Sequence, residues 1–289
     1  MPTSTITTAA TISAVRRLVA EGRHRGASIG LVPTMGALHA GHRRLIEEAR
    51  EASDLVVVSI FVNPAQFGPT EDYGKYPRTL EADLALAAEG GAEVAFVPEV
   101  AEVYPNGPIS SFVEVPALAS VFEGSSRPGH FRGVATVVFK LLNMVGPDLA
   151  FFGAKDYQQQ LVIRRMVFDL DVPVTIRTVP TVREADGLAM SSRNRYLGAE
   201  DRRAARVLSV ALKAASDAVE GGEGDADRVR QILARTIESE PRATLDYAAV
   251  VDADTLGPIP RVGPGIRAVA LVAARVGPAR LIDNATLPG

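Results

Sequence analysis

Residues 28–62 read SIGLVPTMGALHAGHRRLIEEAREASDLVVVSIFV, and this stretch decides the fold. Its two ends, residues 28–33 and 55–62, are short apolar runs, the second rich in β-branched residues and the first stopped by Pro33. Near-continuous apolar runs without clean alternation suit strands buried on both faces of a parallel sheet. Residues 42–52 between them carry a helical pattern, so the stretch reads as a strand–helix–strand unit with a right-handed crossover. The alternation continues downstream. Residues 92–97, 149–153 and 174–180 are strand-like, and residues 80–89, 134–144 and 159–170 are helical. This repetition predicts an α/β, Rossmann-like, doubly wound parallel sheet, whose ligands sit at the carboxyl ends of the strands.

After about Thr181 the grain changes. Residues 200–219 form an Ala- and Arg-rich amphipathic pattern, Gly221-Gly222-Glu223-Gly224 is a flexible break, and residues 225–239 are helical again. Strand-like runs follow at 245–251, 267–274 and 280–282. The expected organisation is a first domain over residues 1–181 and a smaller α+β lid domain over 182–289. A length of 289 residues, at roughly 150 per domain, agrees with two. Gly263-x-Gly265-x-x-Ala268 looks like a dinucleotide fingerprint but precedes a strand instead of following one, so it is set aside.

Composition narrows the function. The net charge of −3 gives no sequence-independent handle on nucleic acid or an anionic membrane. The chain has no Cys, which excludes disulfides, thiol catalysis, Fe–S clusters and Cys-ligated zinc. Apolar runs such as 55–58 and 268–274 fall far short of the roughly 20 residues of a spanning helix. Residues 1–4 (MPTS) show no basic start to a secretory signal, so a cytoplasmic location is expected.

The richest chemistry follows the first strand, in Pro33-Thr34-Met35-Gly36-Ala37-Leu38-His39-Ala40-Gly41-His42. Gly36 permits an unusual turn, and Gly41 lets a ligand approach the helix start. His39 and His42, three apart at that helix N-terminus, can face one side. Helix amides and two imidazoles converging on one spot make an anion site suited to a nucleotide's phosphates. A zinc reading fails, because HxxH supplies only two ligands. Downstream, Met190-Ser191-Ser192-Arg193 offers a guanidinium and two hydroxyls for phosphate oxygens.

HxGH at the first strand–helix turn resembles the signature of the nucleotidylyl transferase superfamily, with residues 190–193 as its second phosphate loop. Three further stretches sharpen the match: 62–67 (VNPAQF), 123–134 with Arg127 and His130, and 151–159 (FFGAKDYQQ). Together with PTMGALHAGH and READGLAMSSRN (183–194), they resemble the pantoate–β-alanine ligase family from about Leu31 to Asn284. The resemblance implies two half-reactions, pantoyl adenylate formation from pantoate and ATP, then displacement of AMP by β-alanine. It implies ATP contacts at Met35, Gly36, Ala37, Leu38, His39, Ala40, Gly41, His42, Gly153, Ala154, Lys155, Asp156, Val182, Met190, Ser191, Ser192 and Arg193. His42 takes the family's proton-donor position. Gln66 and Gln159 take its pantoate positions, and Gln66 also that for β-alanine.

Charge compensation at phosphorus would fall to His39, His42, Lys155 and Arg193. Mg²⁺ would bridge phosphate oxygens and keep most of its water. Asn63, Arg127 and His130 are candidates of second rank, with loop scaffolding as the competing reading. The chain departs from the family at Ala154, where Glu is usual, and at Gln160, where an apolar residue is usual. A homodimer is the assembly the resemblance implies. The competing functions are an adenylyltransferase, which leaves AMP on its product, and a nucleotide-binding protein without turnover.

Overall fold

The computed structural model describes residues 6–68, 73–107 and 109–289. Residues 1–4, and with them the reading of the N-terminus, lie outside the described residues. The chain divides into two units, one of residues 1–154 with 158–180, the other of residues 155–157 with 181–289.

The first unit holds a six-stranded parallel sheet of β1 (Thr7–Ala9), β2 (Ile29–Thr34), β3 (Leu55–Ile60), β4 (Val94–Phe96), β5 (Leu149–Gly153) and β6 (Thr175–Val179). Their order is β1-β4-β3-β2-β5-β6. Ile29 lies opposite Leu55 and Thr34 opposite Ile60, while on the other side of β2 Gly30 and Leu31 pair with Leu149 and Ala150. Every residue of β3 is buried, as a central parallel strand demands. The helices Ile12–His24, Ala40–Ala52, Leu80–Glu89, His130–Val145 and Tyr157–Asp169 connect and cover the strands. Helix Ala40–Ala52 lays Leu45, Ile46 and Ala49 on Val32, Val56 and Val58, and its outer face carries Arg43–Glu47 and Arg44–Glu48 pairs one turn apart.

The parallel sheet expected from the apolar runs is present, with one addition. β1 is three residues long, mostly polar and too short to register as a pattern, yet it pairs in parallel with β4. Because β2 has β3 on one side and β5 on the other, the loops leaving β2 and β5 flank the switch point of the sheet. Ligands of open α/β sheets bind there.

In the second unit β7 (Ala243–Asp252), β8 (Ala268–Val276) and β9 (Ala279–Thr286) form an antiparallel sheet with β8 central. The helices Val207–Glu220 and Ala226–Glu238 pack against it, the latter capped by the Asp225 carboxylate accepting from the amides of Asp227 and Arg228. The single helix expected over 200–219 is two, Ala199–Ala205 and Val207–Glu220. No Gly or Pro marks the break. Arg206 sits at it, its guanidinium tied to the Asp186 carbonyl at 3.1 Å. The fingerprint-like glycines 263 and 265 occupy left-handed turn positions ahead of β8.

Leu233 is fully buried within this second core. Leu233→Ala is expected to destabilise the second unit by about 2–5 kcal/mol. Denaturant unfolding followed by circular dichroism measures it, and a loss under about 1 kcal/mol would show that the site collapses around the cavity.

Candidate active site

The loop leaving β2 is bent hard and pinned. Gly36 has φ +83°, and Ala37 follows at φ +52°, a conformation a side-chain-bearing residue rarely adopts. Two groups hold it there. The Thr34 hydroxyl donates to the Ser59 carbonyl at 2.7 Å and accepts from the Gly36 amide at 3.2 Å. Asp83, 2% exposed on helix Leu80–Glu89, accepts from the Ala37 amide at 3.0 Å, the Leu38 amide at 2.8 Å and the Thr79 hydroxyl at 3.1 Å.

His39 caps the next helix. Its Nδ1 accepts from the Gly41 amide at 3.1 Å, and its own amide donates to His42 Nδ1 at 3.3 Å. The two rings stand 4.1 Å apart, centre to centre. With Nδ1 an acceptor in both, a neutral ring carries its proton on Nε2. The Ala37 and Leu38 amides are held by Asp83, the His39 amide by His42 and the Gly41 amide by His39.

The loop after β3 holds Asn63 and Gln66, both buried. Asn63 Nδ2 donates to Gln66 Oε1 at 3.1 Å and to the Gly133 carbonyl at 3.3 Å, and Gln66 Nε2 lies 2.9 Å from Met35 Sδ. A side chain at Gly133 would put its Cβ 2.1 Å from the Ala65 carbonyl oxygen, so glycine is what lets helix His130–Val145 approach this turn. His130 braces the same turn. Its Nδ1 lies 2.8 Å from the Gln66 carbonyl oxygen and its Nε2 2.9 Å from Arg127 Nη1. A carbonyl only accepts and a guanidinium only donates, so His130 is neutral with its proton on Nδ1.

Beyond β5, Gly153 ends the strand and the Ala154 amide donates to the Val179 carbonyl. The three glutamines then separate. Gln158 is buried and ties the segment before it, donating to the Leu118 and Val121 carbonyls and accepting from the Glu123 amide. Gln160, also buried, accepts from the Thr178 hydroxyl at 3.2 Å. Gln159, between them, is half-buried.

Lys155 and Asp156 group with the second unit, where the Lys155 carbonyl accepts from Asn284 Nδ2 and its ammonium lies 3.6 Å from the Asp156 carboxylate. There Val182 and Met190 are joined by the Met190 amide donating to the Val182 carbonyl. The Ser191 hydroxyl caps the short 3-10 turn Ser192–Tyr196 by accepting from the Arg193 amide. Asn194 fixes that turn through Glu184 and the Ala189 carbonyl. The Arg202 hydrogen bond to Glu184 holds that carboxyl below its ordinary range. A bidentate Arg183–Asp283 pair, with Asp283 buried, anchors the base of the loop.

A parallel α/β sheet with donor-bearing loops at its switch point defines a nucleotide-binding enzyme class. The pantoate–β-alanine ligase family model matches residues 7–286. The pantothenate synthetase of Moorella thermoacetica is 54% identical over 277 residues, covering 96% of this chain and 97% of that protein. The structure of pantothenate synthetase from Thermus thermophilus superposes with a TM-score of 0.92 at 45% identity, covering 98% of this chain and all of the other. That of the Francisella tularensis pantoate–β-alanine ligase, complexed with beta-gamma ATP and β-alanine, gives a TM-score of 0.79 at 33% identity, with 97% of each chain covered. The chain belongs to the pantoate–β-alanine ligase family and is a ligase.

Sequence reasoning passed over Asp83, Thr34 and Gly133. Asp83 stands inside an ordinary amphipathic helix, and no local signal distinguishes its carboxylate from a solvated one. Asp83→Asn can accept only one of the two loop amides well and sets its own NH2 against the other, leaving a buried donor unsatisfied. The expected outcome is a folded protein whose ATP-dependent pyrophosphate release is slowed about tenfold or more. An unchanged rate, with folding confirmed by circular dichroism, would show that the loop keeps its shape without the carboxylate.

Proposed function

We propose that the chain condenses pantoate with β-alanine at the expense of ATP through pantoyl adenylate. A carboxylate oxygen of pantoate attacks the α-phosphorus, the bond to the β-phosphate bridging oxygen breaks, and pyrophosphate leaves with the electron pair. The amine of β-alanine then attacks the acyl carbon, loses a proton and expels AMP. The observation that carries the reading is the His39–His42 pair, two adjacent imidazoles locked as Nε2–H donors where β2 ends, in a member of this family. Preformed donors of this kind stabilise charge developing on phosphate oxygens without reorganising during the reaction.

The residues divide by chemistry. Residues 35–42 and 153–156 would take ATP, joined by Val182 and the loop of Met190, Ser191, Ser192 and Arg193. His42 would donate a proton or hydrogen bond at phosphate, and Lys155 and Arg193 would add fixed cations. Gln66 and Gln159 would bind pantoate. As neutral amides they hold hydroxyls and a carboxylate without drawing the attacking anion into an ion pair. The commitment of Gln158 and Gln160 to the scaffold supports Gln159 as the pantoate residue. Asn63, Arg127 and His130 act in this reading as supports of Gln66. Residues 1–181 would carry ATP and pantoate, and residues 182–289 would serve as the lid.

Among the described residues no group of three or more His, Cys, Asp or Glu is placed to hold a metal. A Mg²⁺ arriving with ATP would bridge phosphate oxygens and keep most of its water. No helix among the described residues is long and apolar enough to cross a membrane. A cytoplasmic location and a homodimer complete the proposal, both supported by the family resemblance.

Two variants test the assignment. His42→Ala is expected to cut pyrophosphate release from pantoate and ATP by about 10²–10³ while the protein stays folded. A near-normal rate would remove His42 from the chemistry. Arg193→Ala is expected to slow pyrophosphate release strongly yet hurt amide formation from preformed pantoyl adenylate and β-alanine much less, because the guanidinium fork faces the triphosphate alone. Equal slowing of both half-reactions would make the loop a general lid. Release of free AMP only when β-alanine is present separates a ligase from an adenylyltransferase.

A further inference from the structure

The Gln66 amide stands at the end of a hydrogen-bond chain that begins at a buried phenol. Tyr104, 9% exposed, follows the short helix Val100–Val103 and donates its hydroxyl proton to Asn63 Oδ1 at 2.7 Å. The same oxygen accepts from the Ala65 amide at 3.3 Å, while Nδ2 donates to Gln66 Oε1 and the Gly133 carbonyl. A primary amide has two acceptor lone pairs and two N–H groups, so Asn63 is fully engaged. Turning it over would set N–H against N–H and oxygen against oxygen, a heavy penalty for a residue 1% exposed.

The chain therefore has a direction. Asn63 takes one lone pair of Gln66 Oε1, which fixes the amide with its Nε2–H turned away from Asn63 and toward Met35. That nitrogen rests on Met35 Sδ, a weak acceptor that a carboxylate or hydroxyl oxygen would displace. Of the two donors on Asn63 Oδ1, the phenol is the closer by 0.6 Å. Burial pushes the Tyr104 phenol above its ordinary value, which keeps it a proton donor.

We propose that Tyr104 is a positioning residue for substrate binding: through Asn63 it fixes the Gln66 amide so that N–H, and not the carbonyl, meets the acceptor oxygens of pantoate. The proposal rests on the reading of Gln66 as a pantoate-binding group. It assigns Tyr104 no contact with substrate and no part in proton transfer.

Steady-state kinetics of Tyr104→Phe, Gln66→Ala and the double variant test it. Phe keeps the ring beside Phe61 and below the Lys140 ammonium, and removes only the hydroxyl. The expected result for Tyr104→Phe is a KM for pantoate raised about fivefold, the effect of one ordinary hydrogen bond, with the KM for ATP within about twofold of the parent. In the Gln66→Ala background the same change is expected to raise the pantoate KM no further, since residues acting in series do not add. Additive losses, or a lowered thermal midpoint with both KM values unchanged, would overturn the proposal and mark the hydroxyl as merely structural. In either case the loss in Gln66→Ala alone would still support the pantoate reading. An unchanged pantoate KM in Gln66→Ala would overturn both.

Discussion

The reversal of the sheet at β2 is the constraint on which the first unit depends. From β2 the chain adds β3 and then β4 on one side, and its return to β5 falls on the other. Right-handed crossovers in opposite directions place the connecting helices on opposite faces, so the loops after β2 and β5 part at their strand ends. A loop entering that crevice cannot continue straight into its helix. Here it turns through Gly36 and Ala37 in left-handed conformations, which cost roughly 1–3 kcal/mol each for a residue with a side chain and persist only when surrounding contacts over-determine them. Asp83 supplies that over-determination by accepting from the two amides just beyond the strain. The carboxylate thus stands behind the position of His39 and His42 by holding the loop that leads into them.

Much of this was legible in the sequence. The runs at 28–33, 55–62 and 149–153 announced the strands because both faces of a central parallel strand are buried, and burial leaves its mark on composition; the edge strand β6, mostly exposed, showed itself through its β-branched residues instead. The glycine- and histidine-bearing loop after β2 announced the candidate site. The illegible parts are those whose meaning lies in a distant partner. β1 pairs along the edge that β4 leaves open, and its three residues are too few to show a strand pattern by themselves. The kink at Arg206 carries no breaker residue. Asp83, Tyr104 and Gly133 look ordinary along the chain and become special only where Leu38, Asn63 and Ala65 meet them. The sequence likewise shows that the loop amides exist but not that the Asp83 carboxylate and the two imidazoles accept from several of them.

Three histidines make the point chemically. The sequence offers His39 and His42 as a pair at a helix start and His130 as a candidate of second rank, without fixing what any ring nitrogen meets. In the fold the first two accept backbone protons on Nδ1 and keep Nε2–H, whereas His130 gives its Nδ1 proton to the Gln66 carbonyl and accepts from Arg127. The first arrangement suits an anion and the second a scaffold. Tautomer, set by which neighbour can only accept or only donate, divides the residues proposed to meet a phosphate from the one that shapes the adjoining loop.

The run Gln158-Gln159-Gln160 follows from helix geometry. Three successive residues span about 200° of a helix's circumference, so they cannot all face one ligand. Gln158 turns toward the strained segment at Phe122, where its amide meets two carbonyls and the Glu123 amide. Gln160 turns toward β6, where Thr178 completes it. A buried polar side chain is tolerated only with such a partner, and one threonine hydroxyl supplies it for Gln160. At the end of β5 the Ala154 amide donates to the Val179 carbonyl, a backbone bond that a larger side chain at 154 would leave in place. Both residues lie beside the proposed chemistry, and their neighbours Gly153 and Gln159 are presented by the strand and the helix that carry them.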